Sequence, residues 1–314
     1  MIATVTANPC IDKTVSLEKF DIYKMNRVRV LRTDPSGKGI NVSYALRNLG
    51  EATLCMGFDF TDGASVVKST LGQMGIEYDF VDIKGKLRTC TKIFDESLKH
   101  TIEMNEYGAE VTATDEEALL QKIVSRAKDC EILTLSGSLP KGMRDDFYYR
   151  CIREIRAVAP DCKIVVDAEK TLLMKSLEAS PYFIKPNIYE FQTTFDCQID
   201  GIDSLDKKAR EVVKQYGLGL ICVSLGKDGA YITDGRDAFA SNAAKVEVRS
   251  IQGAGDSMVA GICIGIEKKL PLDEILRYGV AAAGASVRLE GTQFGSKAEL
   301  AEILQQDFRL KKLG

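Results

Sequence analysis

Short runs of β-branched and aliphatic residues alternate along the chain with longer stretches whose apolar positions recur every three or four residues. Residues 2–7, 53–58, 78–83, 132–136, 163–167, 182–185 and 220–224 are the strand candidates, each nearly continuous in apolar character. Helical periodicity fills residues 40–49, 64–74, 115–127, 145–157, 170–178 and 204–215 between them. Strands apolar on both faces and separated by helices are buried parallel strands. The pattern predicts an α/β fold: a doubly wound, mostly parallel sheet between two helix layers. Ligands of such a sheet gather at the carboxyl ends of its strands.

Two segments, about residues 13–34 and 86–106, break the alternation with a polar/apolar period of two. They fit a small flap over a cleft and equally an antiparallel edge extension. Farther on, "KVEVRS" reads as a strand ending near Ser250, after a hairpin around "ITDGRDAF". Helices over residues 254–268, 272–287 and 297–306 finish the chain. No repeat or linker interrupts it, so residues 1–314 are expected to form one domain carrying a flap.

Composition narrows the partners. A hydrophobic content of 45% allows a large core, and a net charge of −3 argues against nucleic acid. No apolar run reaches the length of a membrane span, and "MIATVTANP" reads as a first strand rather than a leader. Nine cysteines without a C-x-x-C pair point to reduced thiols in the cytoplasm. With His100 the single histidine, Ser-His-Asp, Cys-His and multi-His zinc chemistry lose support.

Candidate chemistry lies in Gly-rich turns. "GAGD", Gly253–Asp256, opens an apolar helix. The free N–H groups of a first turn attract anions, and glycines let a phosphate approach. Asp256 there could take a proton from a hydroxyl, although Asp also simply favours helix starts. "DPSGKGINVS" puts Gly37, Lys38 and Asn41 at another helix start without a P-loop's spacing, and suits either a polyhydroxy ligand or a capped turn. "KPNIYE" carries Asn187 and Glu190 three apart: a capping box by default, or an acid placed to organise hydrated Mg²⁺. "SGS" at Ser136–Ser138 and "SLGKDG" at Ser224–Gly229 are further turns after strands, so all these turns share one rim.

In order, "NPCIDKT", "SGKGINVS", "SGSLPKG", "KPNIYE", "VSLGKDGA" and "GAGDSMVAG" resemble the successive blocks of the PfkB carbohydrate kinases, from Asn8 to Thr292. The resemblance implies a ribokinase-like fold with a β-sheet lid, MgATP as phosphoryl donor and a sugar hydroxyl as acceptor. It makes Asp256 the base, and Gly253, Ala254 and Gly255 the anion hole. Asp12, Gly37, Lys38 and Asn41 would hold the sugar. Arg88 would meet its phosphate, with Ser136 and Gly137 nearby. Lys185, Asn187, Ser224, Gly226 and Gly229 would serve the nucleotide, and Glu190 with Asn187 the metal, through water. The acceptor implied is a ketohexose monophosphate, fructose 1-phosphate first and tagatose 6-phosphate second. A monovalent cation and a homodimer joined through the lid are open additions. Ser36, Ser250 and Ile251-Gln252 depart from the family pattern. A nicotinamide-dependent dehydrogenase is disfavoured, since no G-x-G-x-x-G follows the first strand. A non-catalytic sugar-phosphate-binding regulator is disfavoured too, because Asp256 and its glycines are intact.

Overall fold

The computed structural model describes residues 1–63 and 65–314; the expected start of the second helix at residue 64 lies outside the described residues. The elements run β1 (Ile2–Thr6), β2 (Cys10–Leu17), β3 (Arg29–Ser36), α1 (Lys38–Asn48), β4 (Thr53–Asp62), α2 (Ser65–Gln73), β5 (Glu77–Lys86), β6 (Arg88–Asp95) and β7 (His100–Asn105). There follow α3 (Ala113–Arg126), β8 (Ile132–Ser136), α4 (Phe147–Val158), β9 (Lys163–Asp167), α5 (Lys170–Leu177), β10 (Phe183–Ile184), α6 (Ile188–Thr194), α7 (Ile202–Tyr216) and β11 (Leu220–Ser224). The chain ends with β12 (Ala230–Thr233), β13 (Ala238–Ser241), α8 (Ala254–Glu267), α9 (Leu272–Val287), α10 (Lys297–Ile303) and β14 (Lys311–Leu313).

Ten strands form the main sheet in the order β14-β13-β12-β11-β10-β9-β8-β1-β4-β5. From β5 to β11 every pairing is parallel, and β12, β13 and β14 extend it antiparallel. Strand β1 is buried throughout, as are β8 and nearly all of β9 and β11. That burial explains their unbroken apolar character. From β1 the chain winds one way through α1 to β4, and later the other way through β8, α4 and β9. Right-handed crossovers therefore put α1 and α4 on opposite faces. Helices α1, α8, α9 and α10 pack in succession on one face, and α3, α4, α5 and α6 on the other. The doubly wound α/β expectation is borne out. The winding reverses between β1 and β8, so the switch-point crevice opens at their carboxyl ends.

The period-two segments form a separate four-stranded sheet, β3-β2-β6-β7, not an edge extension. Its apolar core is thin: Val15, Leu17 and Ile93, with Phe20 and Ile102 packed against them. One expected strand is absent. Residues 245–250 pair with no sheet; Arg249 and Ser250 donate their N–H groups to the Val287 carbonyl at 2.8 and 3.2 Å. The segment is tied to the last residue of α9 instead of to a neighbouring strand.

Candidate active site

At the start of α8, Gly253 adopts φ 74°, a left-handed conformation, and a Cβ on it would lie 2.9 Å from the Phe294 ring. Only glycine suits both constraints. The N-cap position therefore has no side chain to bond the first turn. Ala254 donates its N–H to the Ile251 carbonyl at 3.4 Å, whereas the N–H groups of Gly255 and Asp256 have no partner among the described residues. Lys185, 5% exposed, sits against this turn, its Nζ 3.5 Å from where a Gly255 Cβ would stand. A buried ammonium beside the positive end of a helix is a repulsive arrangement that an incoming anion relieves.

Asp256 is 8% exposed. Its carboxylate accepts a hydrogen bond from Asn41 Nδ2 at 2.8 Å, and Asn41 Oδ1 accepts one from the Ser36 hydroxyl at 3.1 Å. The departure at Ser36 thus has a use: it sets which way the Asn41 amide faces. Burial, followed by repulsion from Asp167, raises the Asp256 pKa to about 6, against the pull of Lys38, the Asn41 hydrogen bond and Lys185. The carboxylate is ionised at neutral pH yet holds a proton well enough to act as a base.

Asp167, at the carboxyl end of β9, was not singled out from the sequence. Its Oδ1 lies 3.4 Å from Lys38 Nζ and 3.9 Å from Lys185 Nζ. Burial pushes its pKa up, but the two ammonium groups outweigh this and hold it below the usual carboxylate range. For Lys38 burial acts downward, and Asp167, Asp256, Glu190 and Glu169 together hold its pKa above that of a free lysine. The available signal was an acid closing the apolar run "KIVVD" on the ligand rim.

A cleft of about 580 Å³ opens beside this cluster, bounded by Lys38, Arg88, Ser136, Gly137, Glu169 and Lys170 among others. Gly137 packs on Lys38, and its N–H donates to the Asp167 carbonyl at 2.9 Å. Arg88 donates Nη2 to the Asn8 carbonyl at 3.0 Å. Among the described residues the Arg88 Nε and the Ser136 hydroxyl are buried without partners, so these polar groups could bond a ligand. Asp12 stands on β2, where Lys92 Nζ donates to its Oδ2 at 2.8 Å and Thr292 Oγ1 lies 3.3 Å away.

On the next strands, Asn187 bridges to Ser224. Asn187 and Glu190 form the reciprocal capping box: Asn187 Oδ1 accepts from Glu190 N at 2.9 Å, and Glu190 Oε2 accepts from Asn187 N at 2.8 Å. Gly226 faces open space, while a Cβ on Gly229 would lie 1.9 Å from the Ser241 carbonyl oxygen. Gly229 is thus required by packing of the turn. Asp256, Asn41, Lys38 and Lys185 meet in one cluster; Asp12 and the Ser224–Gly229 turn lie outside its direct contacts.

A buried carboxylate able to accept a proton, beside a helix start able to receive an anion, in a crevice at the strand ends of a doubly wound sheet, is what a phosphotransferase with an alcohol acceptor requires. The pfkB family carbohydrate kinase profile matches residues 5–299, and the chain belongs to that family. It is 32% identical to 1-phosphofructokinase of Borreliella burgdorferi, over 93% of this chain and 92% of that one. It is 31% identical to the Bacillus subtilis 1-phosphofructokinase, over 98% and 97%. Phosphofructokinase-2 from Escherichia coli, solved with substrates and products, superposes with a TM-score of 0.89 at 25% identity, covering 96% of this chain and 98% of that one. That enzyme has also been solved with potassium and in a tetrameric inhibited form. The ribokinase-like kinase expected from the sequence is borne out.

Proposed function

We propose that this kinase transfers the γ-phosphoryl group of MgATP to a hydroxyl of a ketohexose monophosphate, converting fructose 1-phosphate to fructose 1,6-bisphosphate. Tagatose 6-phosphate is the second candidate acceptor. The observation that carries the phosphoryl-transfer reading is the buried Asp256 at an open helix start with Lys185 beside it. The names of the relatives and the unsatisfied Arg88 Nε in the cleft favour an acceptor that is already phosphorylated.

In this reading Asp256 takes the hydroxyl proton as the oxygen attacks, and Asn41 fixes the face it presents. The Gly255 and Asp256 N–H groups receive the transferring group's negative charge, with Lys185 and Lys38 adding fixed positive charge. Asp12 and Asn41, with Gly37 and Gly137 shaping the wall, hold the sugar, while Arg88 and Ser136 take its phosphate. Asn187, Ser224 and Gly226 serve the nucleotide. Glu190 and Asn187 offer hard oxygen atoms and would hold hydrated Mg²⁺ through water, and the ion would neutralise charge on the phosphate oxygens. The small sheet acts as a lid that excludes water, within one kinase domain.

Three partner readings accompany this. Val30, Leu31 and Met104 are exposed on the small sheet and Val28 just before it, so a second copy covers them through the lid; Leu31→Asp should give monomers in sedimentation equilibrium. Potassium is an assay variable, and equal rates with and without it would remove it. Among the described residues no helix is long and apolar enough to cross a membrane, and all nine cysteines are free, as suits a reducing cytoplasm.

A coupled assay of ADP release over fructose 1-phosphate, tagatose 6-phosphate, fructose 6-phosphate, free fructose, ribose and adenosine tests the assignment. Fructose 1-phosphate should give the highest kcat/KM, and Arg88→Ala should cost it about 10–100-fold while barely changing free fructose. Efficient use of an unphosphorylated sugar, or equal losses on both acceptors, would refute it.

A further inference from the structure

Strands β2 and β6 run parallel with Asp12 opposite Cys90, and Cys10 precedes Asp12 by two residues on the same face. Side chains at these positions converge. The Cys10 Sγ lies 3.6 Å from Asp12 Oδ1, and one ligand atom from each of Cys10, Asp12 and Cys90 lies within 4.8 Å of the other two. All three residues are buried, and Cys90 lines the cleft, which gives access from solvent. Among the described residues no other group of three or more cysteine, histidine or acidic side chains is gathered this closely.

We propose that Cys10, Asp12 and Cys90 bind one thiophilic divalent cation, Zn²⁺ first. Tetrahedral zinc with sulfur and oxygen ligands needs donor–donor separations of about 3.5–3.8 Å. The Cys10–Asp12 pair already has that spacing, and the remaining pairs need close by no more than about 1.3 Å. Two thiols and a carboxylate select zinc or cobalt over the hard Mg²⁺ of the kinase reaction. Binding releases the two thiol protons to solvent, leaving two thiolates and a carboxylate around the cation. Lys92 stays on Asp12 Oδ2 at 2.8 Å and balances the remaining negative charge. The cleft that Cys90 lines would supply water as the fourth ligand.

An occupied site takes Asp12 from the sugar, so the cation competes with the acceptor. This consequence rests on the sugar-phosphate kinase reading; the metal site itself does not.

Cobalt titration of the reduced full-length protein, followed by absorption, tests both parts. One equivalent should bind with thiolate-to-cobalt charge-transfer and tetrahedral d–d bands, and Zn²⁺ should bleach them. Because outer partners of a metal site alone contribute about 10–100-fold to affinity, loss of a thiolate in Cys10→Ser or Cys90→Ser should cost at least that much. Cys197→Ser, outside the cluster, should change nothing. Cys90→Ala, checked for native circular dichroism, guards against a misfolded serine variant. Absence of the bands, or bands that persist in folded variants lacking either thiol, overturns the site. Fructose 1-phosphate should weaken cobalt affinity at least about fivefold. Unchanged affinity in protein that turns this sugar over overturns the competition. Failure of the metal-free enzyme to turn it over at all would instead fault the substrate reading.

Discussion

Helices α6 and α8 both start on the ligand rim of the sheet with an acid in the first turn, yet their starts are opposites. In α6 the Asn187 and Glu190 side chains close on each other's N–H groups. In α8 the N-cap is a bare glycine, two N–H groups have no partner among the described residues, and the acid turns to Asn41 instead of the helix. The first start stabilises the fold by itself. The second leaves donors and charges unmatched among the described residues, as the proposed anion site requires and a cap does not. Its instability is measurable: ionised Asp256, with its pKa raised to about 6, costs about 3 kcal/mol at neutral pH.

The largest expected effect comes from removing the proposed base. Asp256→Asn should lower turnover about 10²–10⁴-fold with nucleotide affinity nearly unchanged. The same variant should melt higher than the native protein at pH 7–8. Between the unfolded pKa and about 6 the folded state holds the extra proton, so stability falls as pH rises through that window and stays reduced above it. A lower melting temperature would show that Asp256 acts as a structural acid. Next, Gly253→Ala imposes a Cβ at positive φ and against Phe294. It should cost about 1–2 kcal/mol of stability and about 100-fold in turnover, by shifting the open donors.

Smaller effects should separate cap from metal ligand at α6. Glu190→Gln keeps both reciprocal hydrogen bonds but loses the charge. It should leave the melting temperature unchanged while raising half-saturating Mg²⁺ about tenfold. Asn187→Ala should lose about 0.5–2 kcal/mol in thermal unfolding, the ordinary cost of a cap. If Glu190→Gln leaves the Mg²⁺ requirement untouched, both residues serve α6 as a cap alone.

How legible these features were depended on whether their signal was local. Strands buried on both faces write an unbroken apolar run, so β1, β4, β8, β9 and β11 could be read directly. The reciprocal bonds of Asn187 and Glu190 span three residues and were equally readable. Alternation misled at "KVEVRS", because period alone does not say whether a partner strand exists, and here the Arg249 and Ser250 N–H groups bond the end of α9 instead. The three-residue β14 carries too few positions for any period. Asp167 needed tertiary knowledge: its partners Lys38 and Lys185 arrive from α1 and the end of β10, more than a hundred residues apart in sequence for one of them. Ser36 looked like a departure from a family pattern, and only the hydrogen bond to Asn41 shows its use.

The most direct test of Asp256 as a poised base is the pH dependence of single-turnover phosphoryl transfer, with Asp256→Asn measured alongside. The groups that set its titration are Asp167, Lys38, Asn41 and Lys185. A base must be deprotonated to act, so the native rate should fall about tenfold per pH unit below a midpoint near 6, while the residual rate of the variant should show no such limb. A variant that keeps both the native rate and the limb near pH 6 would contradict the account and place the base elsewhere.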